Sequence, residues 1–246
     1  MIFSSLTCKV ALLAIAFAAT FAASCSTGPD LTNINRPTPT PAASAPAEKE
    51  ISGTYAVTGS AEHGADPYEG SLTITNQGDT YKTDLQTARF RRTGAGVQYG
   101  DALAMTMSEA GKGSGCGVAL YKIGPNGGMD GRVAAWGGTE YASEHAQQTA
   151  DSNFDGKYTV TGKSADGAPY EGTIDVKKTL TGYQFTWHTG TDVVGYGIWR
   201  GSTAAISFGG PQCYFALYDI KSTSLLDGFT GGGGSFAFGT ESAQKR

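Results

Sequence analysis

The chain has little of what most enzymes use for chemistry. Its 246 residues include only three histidines and four cysteines, and charged residues make up 16% of the total. It contains no G-x-S-x-G, H-E-x-x-H or Walker motif. The histidines have no ligand spacing to the cysteines or to one another, which argues against a metal site. We therefore expect no catalytic residue, no metal and no cofactor.

Basic residues are also scarce, and the formal net charge is −4. Arg89, Arg91 and Arg92 form the only dense basic group. Nucleic-acid-binding surfaces need a basic face, usually with interleaved aromatic residues on which bases stack. The sequence therefore predicts no nucleic-acid partner.

Long apolar runs are absent except at the N-terminus. Residues 1–24 carry one charge, Lys9, followed by an apolar run of about 15 residues, which is too short to span a membrane but typical of an export signal. The run ends in A-A-S-C at Cys25, which resembles the bacterial lipobox. That resemblance implies acylation of Cys25, and Ser26 in place of Asp implies sorting to the outer membrane. The alternative is cleavage by an ordinary signal peptidase, which would leave Cys25 as an unused thiol.

Residues 25–50 form a second segment with few large apolar side chains. Pro, Thr, Ser and Ala dominate it, so ordering it would cost conformational entropy without burying a core. We expect a disordered tether that begins at the lipidated cysteine, with the folded part held away from the bilayer.

The remainder of the chain is a duplicated unit rich in glycine. G-T-Y-A-V-T-G, P-Y-E-G-S-L-T-I, A-L-Y-K-I and G-T-E recur in the same order as G-K-Y-T-V-T-G, P-Y-E-G-T-I-D-V, A-L-Y-D-I and G-T-E. Apolar residues alternate with polar ones in most segments, as in half-buried strands. We predict an all-β fold of two tandem antiparallel meander β-barrels, with about seven or eight strands each, over residues 51–143 and 153–243. Only Tyr141 to Gln148 is expected to form a helical turn.

The repeated motifs resemble the short Gly-x-Tyr-x-Val-x-Gly … Gly-Thr-Glu units of bacterial envelope proteins that are often labelled "fibronectin-binding". This resemblance implies small barrels and an adhesive role. In strand number the units also resemble, more distantly, barrels of the lipocalin and avidin type. The Gly-x-Gly pairs Gly94/Gly96 and Gly195/Gly197 suit closure, because a missing side chain lets a strand coil sharply.

Two sets of side chains are candidates for function. Repeated carboxylates stand beside turn glycines and are interpreted as structural rather than as an acid–base pair: Glu69/Glu171, Asp130/Asp227 and Glu140/Glu241. Aromatic residues are enriched in the second unit, where they form either a ligand pocket or simply a filled core: Tyr183, Phe185, Trp187 and Trp199.

Two cysteines remain in the folded part, Cys116 and Cys213, and each begins a segment that is apolar on both faces. One face must line a barrel, so the other needs cover, and the same strand of the sister unit supplies it. This contact would bring the two thiols together as a disulfide. The alternative is two free thiols in independent barrels.

These features together predict a non-catalytic outer-membrane lipoprotein with a binding or envelope-interaction role. Its expected partners are the membrane, through acyl chains such as palmitate on Cys25, and a protein or extracellular-matrix component. The alternative is a carrier of a small apolar or sugar-like ligand in the aromatic second barrel. The sequence predicts neither the oligomeric state nor whether the protein faces the periplasm or the outside.

Overall fold

The structure is a computed structural model that describes residues 48–61, 65–109, 115–149, 153–232 and 238–246. The predicted signal peptide, Cys25 and nearly all of the tether lie outside these ranges. All regular elements within them are β-strands. No helix long and apolar enough to cross a membrane occurs in this part of the chain.

Each repeat contributes eight strands. The first repeat carries β1 (Gly53–Ser60), β2 (Tyr68–Asn76), β3 (Tyr81–Thr87), β4 (Arg91–Tyr99), β5 (Ala102–Glu109), β6 (Gly117–Ile123), β7 (Met129–Ala135) and β8 (Ala142–Gln148). The second carries β9 (Gly156–Lys163), β10 (Pro169–Lys178), β11 (Tyr183–His188), β12 (Asp192–Arg200), β13 (Thr203–Phe208), β14 (Tyr214–Ser222), β15 (Leu225–Gly231) and β16 (Phe238–Lys245).

The period-two pattern accounts for these strands. Tyr55 and Tyr158 are fully buried in β1 and β9, where neighbouring residues face outward, as the sequence predicts. The helical turn predicted for Tyr141 to Gln148 is wrong, because residues 142–148 form β8. In this strand Glu144 and Ala146 are buried and alternate with exposed residues, which is the periodicity of a strand and not of a helix.

The strands close into two antiparallel barrels of eight strands each, which confirms the predicted fold class. The first barrel contains β1–β5 and β14–β16, and the second contains β6–β13. Strand β5 pairs with β14, and β13 pairs with β6. The two repeats have therefore exchanged their last three strands.

This exchange corrects the predicted boundaries. Residues 51–143 and 153–243 delimit the sequence repeats, but neither range forms a barrel by itself. The physical reason is that β6 and β14 are equivalent strands with the same alternation of apolar faces, so either one satisfies the hydrogen-bonding edge of β5. Exchange of identical elements is a low-cost rearrangement between repeated units, and here it occurs within one chain.

A buried apolar residue just before β1 or β9 packs into the core of each barrel. Ile51, which precedes β1, is fully buried and accepts a hydrogen bond from Tyr55 Oη at 2.6 Å. Phe154, which precedes β9, accepts the equivalent bond from Tyr158 Oη at 2.7 Å. Gly94 and Gly197 leave room for the neighbouring strand, since a Cβ would lie 1.7 Å from the carbonyl oxygen of Thr106 at Gly94 and 1.9 Å from that of Ala205 at Gly197. The predicted sharp coiling at the Gly-x-Gly pairs stays a prediction.

A third apolar cluster lies between the barrels. It includes Val118 and Leu120 from β6 and Phe215 and Leu217 from β14, while the alternate residues of both strands line the barrel interiors. Apolar residues of both strands therefore belong to one interface cluster, but across it β6 packs mainly on β4 and β5, and β14 on β13, so direct cover of β6 by β14 stays a prediction. Equivalent hydroxyls also meet across the interface, with Thr106 Oγ1 and Ser207 Oγ 2.8 Å apart.

Cys116 and Cys213 form a disulfide, with their Cα atoms 5.7 Å apart, as predicted. Each cysteine directly precedes the strand at which the chain enters the other barrel, β6 for Cys116 and β14 for Cys213. The disulfide therefore joins the two places where the strands are exchanged.

Candidate functional site

A buried carboxyl group lies near one end of the first barrel, the end farthest from Ile51. Glu241 in β16 is 1% exposed and accepts hydrogen bonds from the hydroxyls of Tyr68 in β2 and Tyr218 in β14. Its position follows from the register, because β16 pairs with β1 so that Glu241 is opposite Gly59, at the end of β1 farthest from Ile51. The inward face of β16 thus carries an ionisable group into an apolar interior.

Gly59 makes room for this arrangement. It is also opposite Tyr68 in the register of β1 and β2, and a Cβ at this position would lie 2.4 Å from Cζ of Tyr68. The missing side chain allows the tyrosine ring to cross the strand and reach Glu241. Gly162 has the same role beside Tyr170 in the second barrel, where the corresponding distance is 2.6 Å.

Burial sets the protonation of this carboxyl group. Removal from water raises the pKa of Glu241 to about 7, although the hydrogen bond from Tyr68 and the positive charge of Arg92 both oppose the shift. Burial and the nearby Glu241 also raise the pKa of Tyr68, so its hydroxyl stays protonated and donates. Glu241 is therefore poised between its neutral and ionised forms near neutral pH.

A cavity of about 520 Å³ opens beside Glu241. Its apolar wall includes Leu85, Met107 and Phe90, and Arg92 and Tyr68 provide polar groups in the same space. This combination of an apolar wall with a few convergent polar groups is typical of small-molecule sites, which span about 300–1,000 Å³.

Arg92 is held between two aromatic rings. Its guanidinium carbon lies 3.5 Å from the ring centroid of Tyr214 and 4.2 Å from that of Phe90. Its Nε is buried without a hydrogen-bond partner among the described residues. At the rim of this cavity, Arg89 donates hydrogen bonds to the carbonyl oxygens of Asp66 at 3.0 Å and Pro67 at 2.8 Å. Arg89 therefore holds in place the residues that directly precede β2.

The second barrel carries an equivalent carboxyl group, that of Glu144, with more side-chain donors and less empty space around it. Glu144 accepts hydrogen bonds from Tyr121, from Tyr170 at 2.7 Å and from Nε1 of Trp187 at 3.3 Å. The adjacent cavity is about 390 Å³, smaller than that of the first barrel. Trp187 occupies part of this end and also donates to Tyr121 Oη at 3.0 Å.

The four aromatic residues predicted to line a pocket in the second barrel do not surround one cavity. Phe185 is fully buried in the core, and Trp187 lies at the Glu144 end. Tyr183 and Trp199 lie at the other end, where both contact the ring of Phe154, with centroid separations of 4.9 Å and 4.5 Å. Phe185 and Trp187 fill part of the barrel, which was the alternative interpretation of the sequence, whereas Trp199 is 37% exposed.

Of the six carboxylates singled out from the sequence, only Glu241 is buried in the structure. Glu140 is exposed, whereas Glu144 is the buried equivalent of Glu241. The residue pairs Glu69/Glu171 and Asp130/Asp227 are also exposed. Glu144 and Glu241 are the only buried carboxylates among the described residues, and they lie in different barrels. No site in this part of the chain therefore combines two buried carboxyl groups.

Glu144 was not predicted from the sequence, because the repeated G-T-E motif pairs Glu241 with Glu140 and not with Glu144. The detectable signal is spacing, since 23 residues separate Tyr218 from Glu241 and also Tyr121 from Glu144. No group of three or more metal-binding side chains occurs in the described ranges. Cys25, the predicted lipidation site, lies outside them.

Comparisons of the chain with protein-family models, with curated proteins and with solved structures give no match.

Proposed function

We propose that this chain is a non-catalytic binding protein that holds a small molecule in the cavity at the Glu241 end of the first barrel. The observation that supports this proposal most strongly is the cavity of about 520 Å³, in which an apolar wall meets Arg92, Tyr68 and Glu241. We propose the outer membrane as its location, with Cys25 as the acylated anchor; the resemblance of the N-terminus to a lipoprotein signal supports this.

The cavity favours the first barrel over the aromatic second barrel as the binding site. Leu85 and Trp187 occupy equivalent places, each beside the buried carboxyl group of its barrel and paired with β4 or β12. Met107 and Phe208 are likewise equivalent, each opposite the first glycine of a Gly-x-Gly pair. The first repeat has the smaller side chain at both places, and the space left unfilled forms the larger cavity.

Filling the first cavity tests the proposal. Leu85→Trp introduces the side chain that the second barrel already accommodates at the equivalent place, and Leu85→Met is the matched control. Thermal unfolding of the purified protein is measured with small apolar acids, alcohols and sugars. A ligand present at a hundred times its dissociation constant adds about 2.7 kcal/mol to the free energy of unfolding.

We expect Leu85→Trp to abolish this stabilisation and Leu85→Met to retain it. Near-ultraviolet circular dichroism shows whether the tryptophan variant remains folded, and Leu85→Phe serves as a milder filling variant. Stabilisation that survives both filling variants would place the site elsewhere. If no compound class stabilises the wild-type protein, the proposed small-molecule binding is wrong.

A further inference from the structure

We propose that the ligand of the first barrel is an amphipathic anion, a small apolar acid whose carboxylate pairs with Arg92 while its apolar part contacts Leu85 and Met107. This inference rests on the proposed function, because it names the chemical class of the molecule that the first cavity binds.

The two barrels differ in charge at equivalent places. Arg92 is opposite Leu85 in the register of β3 and β4, and Val193 is opposite Trp187 in the register of β11 and β12. The first cavity therefore contains a cation where the second has an aliphatic side chain. An arginine is not needed to close such a barrel, since the sister barrel closes with valine.

Arg92 is oriented by its neighbours but forms no ion pair with a described carboxylate, although its charge acts on Glu241. Arg89, Arg91 and Arg132 each contact a carboxylate, of Asp66, Asp84 and Glu48 respectively. Arg92 has no such ion pair in the described part of the chain, and the rings of Phe90 and Tyr214 fix the plane of its guanidinium group. A planar guanidinium group with free N–H groups matches the geometry of a carboxylate, which accepts two parallel hydrogen bonds.

The buried carboxyl group couples this site to pH. The groups that face Glu241 or the cavity are Tyr68 from β2, Tyr218 from β14 and Arg92 from β4, with Asp66 and Arg89 on the rim. Glu109 is opposite Arg92 in the register of β4 and β5. Neutral Glu241 leaves the positive charge of Arg92 available to a ligand anion, whereas ionised Glu241 repels the anion.

The sign of the pH dependence follows from the raised pKa of Glu241. This pKa is about 7, so the favourable neutral form predominates below pH 7 and is lost as the pH rises above it. If only the neutral form binds the anion, affinity falls by about tenfold for each pH unit above that value. An uncharged ligand of the same shape should show little of this dependence.

The experiment compares matched acids and alcohols by isothermal titration calorimetry. Octanoate is paired with octan-1-ol and 1-naphthoate with 1-naphthalenemethanol, each titrated into the wild-type protein, Arg92→Val and Arg92→Lys at pH 6 and pH 8. Arg92→Val places the second barrel's residue in the first barrel and so tests charge with little risk to folding. Val193→Ala is the control in the second barrel.

We expect an acid to bind the wild-type protein more tightly than its paired alcohol, and more tightly at pH 6 than at pH 8. Arg92→Val should weaken binding of the acid by about 10- to 100-fold, as for loss of a hydrogen-bonded charge, and leave the alcohol nearly unchanged. Arg92→Lys should weaken it less, and Val193→Ala should have no effect. Glu241→Gln should remove most of the pH dependence.

Three results would overturn the inference in distinguishable ways. If each alcohol binds as tightly as its acid, and Leu85→Trp abolishes both, the site exists but does not select anions. If the acid binds but Arg92→Val does not weaken it, another group recognises the carboxylate. If neither member of either pair binds, the inference fails for these acids, and the wider compound screen decides whether the proposed function fails as well.

Discussion

Removing the disulfide between Cys116 and Cys213 should cost a large part of the stability of this protein. The double variant Cys116→Ala/Cys213→Ala deletes a cross-link between residues 97 positions apart in the sequence. Loop-closure entropy for a loop of this length amounts to about 4–5 kcal/mol, because the cross-link restricts the unfolded chain. Both cysteines are almost fully buried, so truncation also removes packing at the interface.

The location of the bond makes this test informative about the exchanged strands. Each cysteine directly precedes the strand by which the chain enters the other barrel. We expect the exchanged arrangement to remain when the bond is absent, since pairing of β5 with β14 and of β13 with β6 does not depend on it. The double variant should therefore fold to the same circular dichroism spectrum but unfold at lower urea concentration.

Urea unfolding of the oxidised wild-type protein and of the double variant measures the difference. We expect the free energy of unfolding to fall by about 3–5 kcal/mol. A reducing agent should lower the stability of the wild-type protein in the same direction and have no effect on the double variant, which is the matched control. A difference below about 1 kcal/mol would refute the reasoning from loop closure.

Three further predictions concern the core, the buried carboxyl group and the anchor. Tyr158→Ala should lower the free energy of unfolding in urea by about 3–5 kcal/mol. Tyr158→Phe should lower it by only about 1 kcal/mol, because this variant loses only the hydrogen bond to the carbonyl oxygen of Phe154. Equal losses in the two variants would place the ring outside the core. The pKa of Glu241 rises from 4.5 to about 7 on folding. Between those pH values the free energy of unfolding of the wild-type protein should therefore fall by about 3 kcal/mol relative to that of Glu241→Gln, with little further change above pH 7. A difference between the two proteins that does not vary with pH would contradict the raised pKa. Cys25→Ala should release the protein from the membrane fraction, and metabolic labelling with a palmitate analogue should mark only the wild-type protein; an unlabelled wild type would contradict lipidation.

Local periodicity made much of the architecture predictable. Alternation of apolar and polar residues identified most of the strands but not β8, and it identified the inward tyrosines at 55 and 158 and the two-sided apolar strands that begin after the cysteines. The need to cover the second face of those strands led to the interface and the disulfide. These features depend on single strands and their neighbours, which the sequence records directly.

The exchange of strands was not predictable for a physical reason. Strands β6 and β14 have the same pattern of buried faces, so the pairing rules permit either as the neighbour of β5. Duplication makes the exchanged and unexchanged topologies nearly equivalent in local contacts. Only the geometry of the connections and of the interface between the barrels can distinguish them.

Sequence and structure favour different barrels as the binding site, because the number of aromatic residues does not measure empty space. Aromatic enrichment pointed to the second barrel, where Phe185 and Trp187 pack on each other in the core and the exposed Trp199 stacks on Phe154. The larger cavity lies in the first barrel because Leu85 occupies the place of Trp187 there. Predicting a cavity requires the summed volume of side chains from several strands, which no single motif contains.

The position of the bound ligand directly tests whether the first barrel holds the binding site. Two-dimensional NMR spectra of protein labelled at leucine and methionine methyl groups and at tryptophan side chains are recorded with and without 1-naphthoate. Binding in the first barrel should shift the methyl signals of Leu85 and Met107, which line the first cavity, and leave the indole signal of Trp187 in the second barrel unchanged. A shift of the Trp187 signal with unchanged Leu85 and Met107 signals would contradict it.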